Sequence, residues 1–331
     1  MSTVHRIAVI GAGGVTDMHF RGYLSHPDRV EIVAAVDPVA ERRAWAEETF
    51  GVSRTYASIA ELVADADFEV AVVCTPSHVR VEAIRELAAA GKHLFVEKPM
   101  ADGMDDARLV VELADQSGVK LAVDQNFRDH YAFGLAVDAI RAGRIGRIIG
   151  IDHSELTFRQ VSGWRAQMRH NALSVMGVHW FDGFRQLIGG DPDWLVARVY
   201  SSAGIEGVGE TDAFVQIHFG EVTVNYTQSF SSRVERCETI VVGESGTLRL
   251  EYDKLEIHDG NGVEVIENPW AGDGKPESAF RALDKLLVAI EADGEPSNSG
   301  YDNLKTLSLL EAAYRSGESG EPVRLEEGLV R

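Results

Sequence analysis

The sequence predicts an α/β protein in two parts. Residues 1–125 form a doubly wound parallel sheet, and residues 126–331 an α+β domain built on a large, mostly antiparallel open sheet. Two patterns carry this. The first part alternates short, β-branched apolar runs with helical patterns, as a parallel sheet buried on both faces requires. The second is dominated by alternating apolar and polar residues between turn signals, the mark of strands with one covered face. A length of 331 residues suits two domains.

In order, Arg6–Ile10, Glu31–Val36, Val70–Cys74, His93–Val96 and Lys120–Val123 read as the strands of the first part. Between them Val81, Ile84, Leu87 and Ala88 recur at helical spacing, as do Leu109, Val110, Leu113 and Ala114. Gly91 and Gly118 follow as C-terminal stops. Tyr131–Arg144 reads as a further helix. Strand patterns then cover Ile148–Phe158, Trp194–Tyr200, Ala213–Phe219, Val222–Phe230, Glu238–Val242, Thr247–Tyr252 and Leu255–His258, with one helix around Leu173–Ile188. Glu277–Ala292 and Asp302–Ser316 read as closing helices, candidates for packing back on the first domain.

Composition excludes several classes of function. Lys plus Arg number 32 against 52 Asp plus Glu, a net charge of −20. Such a surface repels phosphate backbones and anionic membranes, so neither nucleic acid nor membrane is expected as a partner. Cys74 and Cys237 are far apart and form no CxxC pair, which argues against a disulfide framework or a zinc site. The eleven histidines show no ligand spacing, so no metal is expected. No apolar run approaches the ~18 residues of a membrane span. The apolar stretch Ile7–Ile10 is too short for a secretory signal, and a cytoplasmic location is the expectation.

The first strand runs into Gly11-Ala12-Gly13-Gly14-Val15-Thr16. Gly11 permits a tight turn, Gly13 lets backbone approach a pyrophosphate, and the following helix offers unpaired N–H groups to phosphate. The third position of this fingerprint is Thr16 rather than Gly or Ala, so a side chain must be accommodated there. The second strand ends at Asp37, whose carboxylate can accept from adenosine ribose hydroxyls and would repel a 2′-phosphate. This is a dinucleotide-binding (Rossmann) pattern. It favours NAD, with Arg42 and Arg43 close enough in sequence to keep NADP open.

Thr75-Pro76-Ser77-His78 follows the third of these strands, at the sheet edge where ligands gather. Thr75 can bond ribose or phosphate oxygens, Pro76 shapes the loop, and His78 can equally be a helix cap. Glu97-Lys98-Pro99 follows the next strand. A lysine beside a nicotinamide can bind a reacting hydroxyl and favour its alkoxide, and Glu97 can orient it.

With these segments, the chain resembles the glucose–fructose oxidoreductase, inositol dehydrogenase and rhizopine-catabolism (Gfo/Idh/MocA) family. The resemblance extends through Gln125-Asn126-Phe127-Arg128, Gly143-Arg144-Ile145-Gly146, Gly163-Trp164-Arg165, Gly177-Val178-His179 and Ser299-Gly300-Tyr301-Asp302-Asn303-Leu304 to Leu310–Ser316. It implies an NAD(P)-dependent oxidoreductase moving a hydride between nicotinamide and a hydroxyl or ketone of a sugar, polyol or inositol. It implies that Lys98 and His179 face that substrate and that His179 is the general acid/base. Asn126 is a cofactor-side candidate, and Trp164, Arg165 and Asp182 are substrate-side candidates, since sugars use aromatic faces and polar forks. His153, Arg159 and Tyr131 are further pocket candidates. A homodimer or homotetramer through the C-terminal sheet is also implied.

One departure falls near His179. Many family enzymes place an aspartate four residues before this histidine, and here Val175 stands there. Asp182 can orient His179 instead, or His170 or Asn171 can supply the polar group. Otherwise the chain is a dinucleotide-binding regulator, or uses transient oxidation for elimination or glycoside cleavage.

Overall fold

The computed structural model describes residues 3–270 and 274–325. In chain order the first elements are β1 (His5–Ile10), α1 (Thr16–Leu24), β2 (Val30–Val36), α2 (Ala40–Phe50), β3 (Thr55–Tyr56), α3 (Ile59–Asp65), β4 (Val70–Val73), α4 (Ser77–Ala89), β5 (His93–Val96), α5 (Met104–Ser117) and β6 (Leu121–Val123). Then come α6 (Tyr131–Arg141), β7 (Ile148–Phe158), α7 (Val178–Ile188), β8 (Trp194–Tyr200), β9 (Asp212–Phe219), β10 (Val222–Ser229), β11 (Ser231–Gly243), β12 (Gly246–Leu250), β13 (Lys254–Asp259) and β14 (Gly262–Glu267). Helices α8 (Lys275–Glu291) and α9 (Gly300–Ser319) and strand β15 (Val323–Arg324) end the described chain.

The chain divides into two compact units. One holds Met1–Asp129 with Lys275–Leu304, the other His130–Gly274 with Lys305–Arg331. The first is built on a six-stranded sheet in the order β3-β2-β1-β4-β5-β6, parallel throughout. Its central strands are buried end to end because helices cover both faces: Ile7, Val9, Val70, Val72 and Phe95 join Phe20, Leu283 and Leu287 in one core. Gly22 in α1 lets α8 come close, since a Cβ there would meet the Pro276 carbonyl oxygen at 2.1 Å.

The second unit carries a nine-stranded sheet, β14-β13-β12-β11-β7-β10-β9-β8-β15, antiparallel except between β7 and β10. One face is covered. Ile151, His153 and Glu155 of β7 are buried with Val224 and Tyr226 of β10, while their neighbours Asp152 and Asn225 are exposed. The predicted fold class is the observed one. The strand around Glu238–Val242 extends back to Ser231, through polar residues that carry no alternation signal. The hairpin strand β14, mostly exposed, lies outside the strands expected from sequence. The helix expected over Leu173–Ile188 is a π-helical turn, Leu173–Gly177, running directly into α7. No described helix is long and apolar enough to cross a membrane.

Candidate active site

In the first unit the glycine turn joins β1 to α1. Gly11 has φ +91°, and a Cβ there would lie 3.2 Å from both the Cys74 carbonyl carbon and the Thr75 nitrogen. Only glycine meets both demands without strain. Beside Gly13 and Gly14 there is open space, as backbone approached by a ligand needs. The fingerprint's odd residue, Thr16, is fully buried and folds its hydroxyl back onto the Gly13 carbonyl. That bond absorbs the polar atom where glycine would have left none. Among the described residues no side chain caps the first turn of α1, which leaves its N–H groups and positive dipole end for an anion.

Asp37 follows the end of β2 and binds the turn from the other side. Its carboxylate accepts from Ala12 N–H at 2.8 Å and from Val39 N–H at 2.9 Å. A carboxylate has about four acceptor positions, so two remain for hydroxyl donors. Arg43 spends one guanidinium nitrogen on the Asp37 and Pro38 carbonyls, at 2.7 and 3.2 Å. Next along the sheet, Thr75 Oγ1 is a buried hydroxyl oxygen with no hydrogen-bond partner among the described residues. Pro76 and His78 are exposed at the start of α4. A turn closed by glycine, an uncapped helix, a carboxylate with free lone pairs and an orphan hydroxyl together fit a dinucleotide.

Lys98 follows β5, and its peptide bond to Pro99 is cis. The loop sits on a buried polar cluster that the sequence did not reveal. His19 of α1 contacts the Tyr23 hydroxyl and Glu97 Oε1, each at 2.8 Å, and its Nε2 is 3.6 Å from Asp124. Glu97 and Asp124 are both buried and hydrogen-bonded to each other. Burial works to raise Glu97, but the His19 hydrogen bond and the charges of His19, Lys98 and Arg80 hold it below the usual range. Burial and the Glu97 charge push Asp124 well above. Two adjacent carboxylates repel each other when both are ionised out of water, so their acidities are pushed apart, with Asp124 the weaker acid.

Arg80 of α4 is buried and donates to the carbonyls of Thr75, Glu97 and Pro99. Asn126 is buried and donates to Met18 Sδ at 3.7 Å and Ser278 Oγ at 3.5 Å. Both amide atoms of its neighbour Gln125 are buried without partners among the described residues.

In the second unit His179 is buried in α7. Contacts along that helix fix its seat. A Cβ on Gly177 would be 3.4 Å from the Tyr226 hydroxyl, and one on Gly183 would be 3.1 Å from the Phe133 ring. Trp180 lies 3.8 Å from the His153 ring and donates to Glu155 at 3.0 Å. Asp182 accepts from Thr306 at 3.0 Å and faces Arg185 at 3.7 Å. Glu210 anchors the segment ahead of the helix, accepting from Asn171 N–H, Leu173 N–H and the Tyr314 hydroxyl, each at 2.9 Å.

Val175 packs in an apolar cluster with Val161, Ala172, Ile205 and Phe230. His170 stacks on Tyr314 at 3.8 Å, and Asn171 Oδ1 is buried without a partner among the described residues. Tyr131 meets Trp270 edge-on at 5.2 Å, and the Arg159 guanidinium lies 5.2 Å from the Phe230 ring. The side chains of Trp164 and Arg165 lie outside the described residues.

Among the described residues, two groups bring metal-ligating atoms within 4.8 Å of one another: His19, Glu97 and Asp124, and His153, Glu155 and Cys237. The second is also tied by hydrogen bonds. His153 bonds Thr239 at 2.8 Å, and Glu155 accepts from Trp180, Cys237 and Tyr252. Burial pushes His153 down to about 3, with the Arg236 charge adding to it, so the ring is neutral near pH 7.

Residues 5–125 match a family described as "Oxidoreductase family, NAD-binding Rossmann fold", and residues 133–249 match a GFO/IDH/MocA C-terminal domain. The chain is 33% identical to a D-apiose dehydrogenase of Paraburkholderia graminis, over 98% of this chain and 91% of that one. It is 28% identical to a 1,5-anhydro-D-fructose reductase of Ensifer adhaerens, over 90% and 92%. Among solved structures it resembles an oxidoreductase from Agrobacterium radiobacter in complex with NAD+, L-tartaric acid and magnesium, with TM-score 0.89 and 25% identity, covering 97% and 98% of the two chains.

Proposed function

From the premise that this chain belongs to the Gfo/Idh/MocA oxidoreductases, we propose that it oxidises a secondary hydroxyl of a sugar or polyol, or reduces the corresponding ketone. NAD is its cofactor. Relatives named for D-apiose and 1,5-anhydro-D-fructose support a carbohydrate substrate. The observation that carries the reading is the dinucleotide cradle: Gly11 at φ +91°, Asp37 bonded to the turn, and the orphan Thr75 hydroxyl.

Bound NAD supplies the hydride acceptor, and everything else falls to the protein. Lys98 binds the reacting oxygen and stabilises the negative charge that develops there. His179 holds or returns the hydroxyl proton, for which imidazole is suited near neutral pH. With Val175 in an apolar cluster, no carboxylate comes from that position, and the proton is carried by His179 and Lys98. Asp37 favours NAD over NADP, because a 2′-phosphate brought to this carboxylate would be repelled.

The exposed face of the second unit's sheet is the candidate subunit interface. It carries Tyr200, Phe214 and Val242 (55, 50 and 40% exposed) beside a cross-strand charge ladder of Glu238, Arg249 and Glu256. A second copy of the chain fits such a mixed surface.

The deciding experiment mixes pure protein and NAD+ with pentoses, anhydro-sugars and inositols, and follows reduced-nicotinamide absorbance. Turnover with at least one carbohydrate is expected. Tight NAD binding with no redox change on any substrate, in either direction, refutes the dehydrogenase reading in favour of a regulator.

A further inference from the structure

We propose that Arg80 is the positioning residue that locks the Lys98 loop to the Thr75 loop. This rests on the reading of Lys98 given above.

Arg80 lies in the first turn of α4 and is 4% exposed. Its Nε and Nη2 donate to the Thr75 carbonyl, and its Nη1 donates to the carbonyls of Glu97 and Pro99. These acceptors sit in two different loops. One follows β4 and carries the orphan hydroxyl of Thr75, and the other follows the adjacent strand β5 and carries Lys98. The carbonyls of the residues on both sides of Lys98 are therefore tied to one rigid group. A guanidinium suits this because its donors diverge in a fixed plane. An ammonium of similar charge has no such fork.

The arrangement is costly, which is why it is informative. A buried cation loses hydration, and burial lowers the pKa of Arg80. An apolar side chain would fill the space at less cost. What an apolar side chain cannot do is hold three carbonyls of two loops in register. Those loops bear a candidate ribose or phosphate contact and the candidate oxyanion-binding ammonium. A displacement of about 1 Å between such groups can cost about 100-fold in rate. Arg80 thus acts through Lys98, without touching the substrate.

The test compares Arg80→Ala, Arg80→Lys and Lys98→Met in the full-length protein. The carbohydrate is the one that turns over in the panel, and NADH affinity and thermal unfolding are measured alongside. Arg80→Ala is expected to lose about 10- to 100-fold in kcat, with KM for the carbohydrate and NADH affinity changed by less than about threefold. Added guanidinium, at concentrations where it does not unfold the protein, restores part of kcat in Arg80→Ala. It does not do so in Lys98→Met, and sodium chloride at equal ionic strength does not replace it. Arg80→Lys folds and binds NADH, and remains well below wild type in kcat.

Turnover per bound NADH within about twofold of wild type in Arg80→Ala overturns the proposal. Should that variant fail to fold, the same result in Arg80→Lys overturns it. Full turnover in both Arg80 variants with none in Lys98→Met removes Arg80 alone. Full turnover in Lys98→Met overturns the reading of Lys98 itself.

Discussion

Around Lys98 a loop is held by buried charge, whereas around His179 a helix is held by ring and glycine packing together with the buried carboxylates Glu155, Asp182 and Glu210. Below the Lys98 loop lie His19, Glu97, Asp124 and Arg80, all buried and hydrogen-bonded in a set in which Asp124 is the weaker of the two acids. Helix α7 is seated instead by Gly177 against Tyr226, Trp180 against His153 and Gly183 against Phe133, with Glu210 anchoring the turn ahead of it. The difference follows from what each must hold. A loop has few internal backbone hydrogen bonds, so polar side chains must fix it. A helix satisfies its own backbone and needs only a complementary surface. Disturbing the first region should change rates, and disturbing the second should first change stability.

The largest effect is expected at Lys98. Lys98→Met should lose about 1,000-fold or more in kcat while NAD affinity stays within several-fold, measured by steady-state kinetics and fluorescence titration. Equal activity would remove the contrast at its root. Gly11→Ala comes next. A side chain at φ +91° and 3.2 Å from the Cys74–Thr75 peptide should weaken NAD binding about tenfold or more and lower Tm. Asp37→Ala should weaken NAD far more than NADP, by about tenfold in the ratio of the two affinities. A wild-type protein that already prefers NADP would refute the role of that carboxylate.

On the other side of the comparison, Glu210→Ala should leave NAD affinity unchanged and destabilise the protein by about 1–3 kcal/mol, since two buried N–H groups lose their acceptor. Chemical denaturation measures this. The effect that is smallest at neutral pH, and grows only in acid, concerns His153. His153 is held near 3 in the fold against about 6.5 when unfolded, so its neutral form is the stable one. Its contribution is full above about pH 6.5. It is lost as pH falls towards 3, by up to about 1.4 kcal/mol per unit, because only the unfolded chain takes up the proton. The acid destabilisation should be shallower in His153→Gln than in wild type, read from Tm against pH.

Sequence alone determined a good deal. Periodicity placed most strands of both sheets, all but β3, β14 and β15, because a strand buried on both faces reads as an apolar run and one with a single covered face alternates. Strand β7 was legible from end to end as Ile148–Phe158. The glycine turn and Asp37 were legible too, since steric demands on a backbone are met by residue type at fixed spacing.

Tertiary structure decided the rest. The polar residues Ser231–Arg236 join β11 only through pairing with its neighbour, and a period-2 signal needs a buried face to exist. That Thr16 could replace glycine depended on a hydrogen bond to Gly13. His19, Asp124 and Arg80 stand 79, 26 and 18 residues from Lys98 in the chain, and no local pattern links them. Only the closing of adjacent parallel strands brings them under one loop, because electrostatic coupling depends on distance in space and on burial, and a linear sequence records neither.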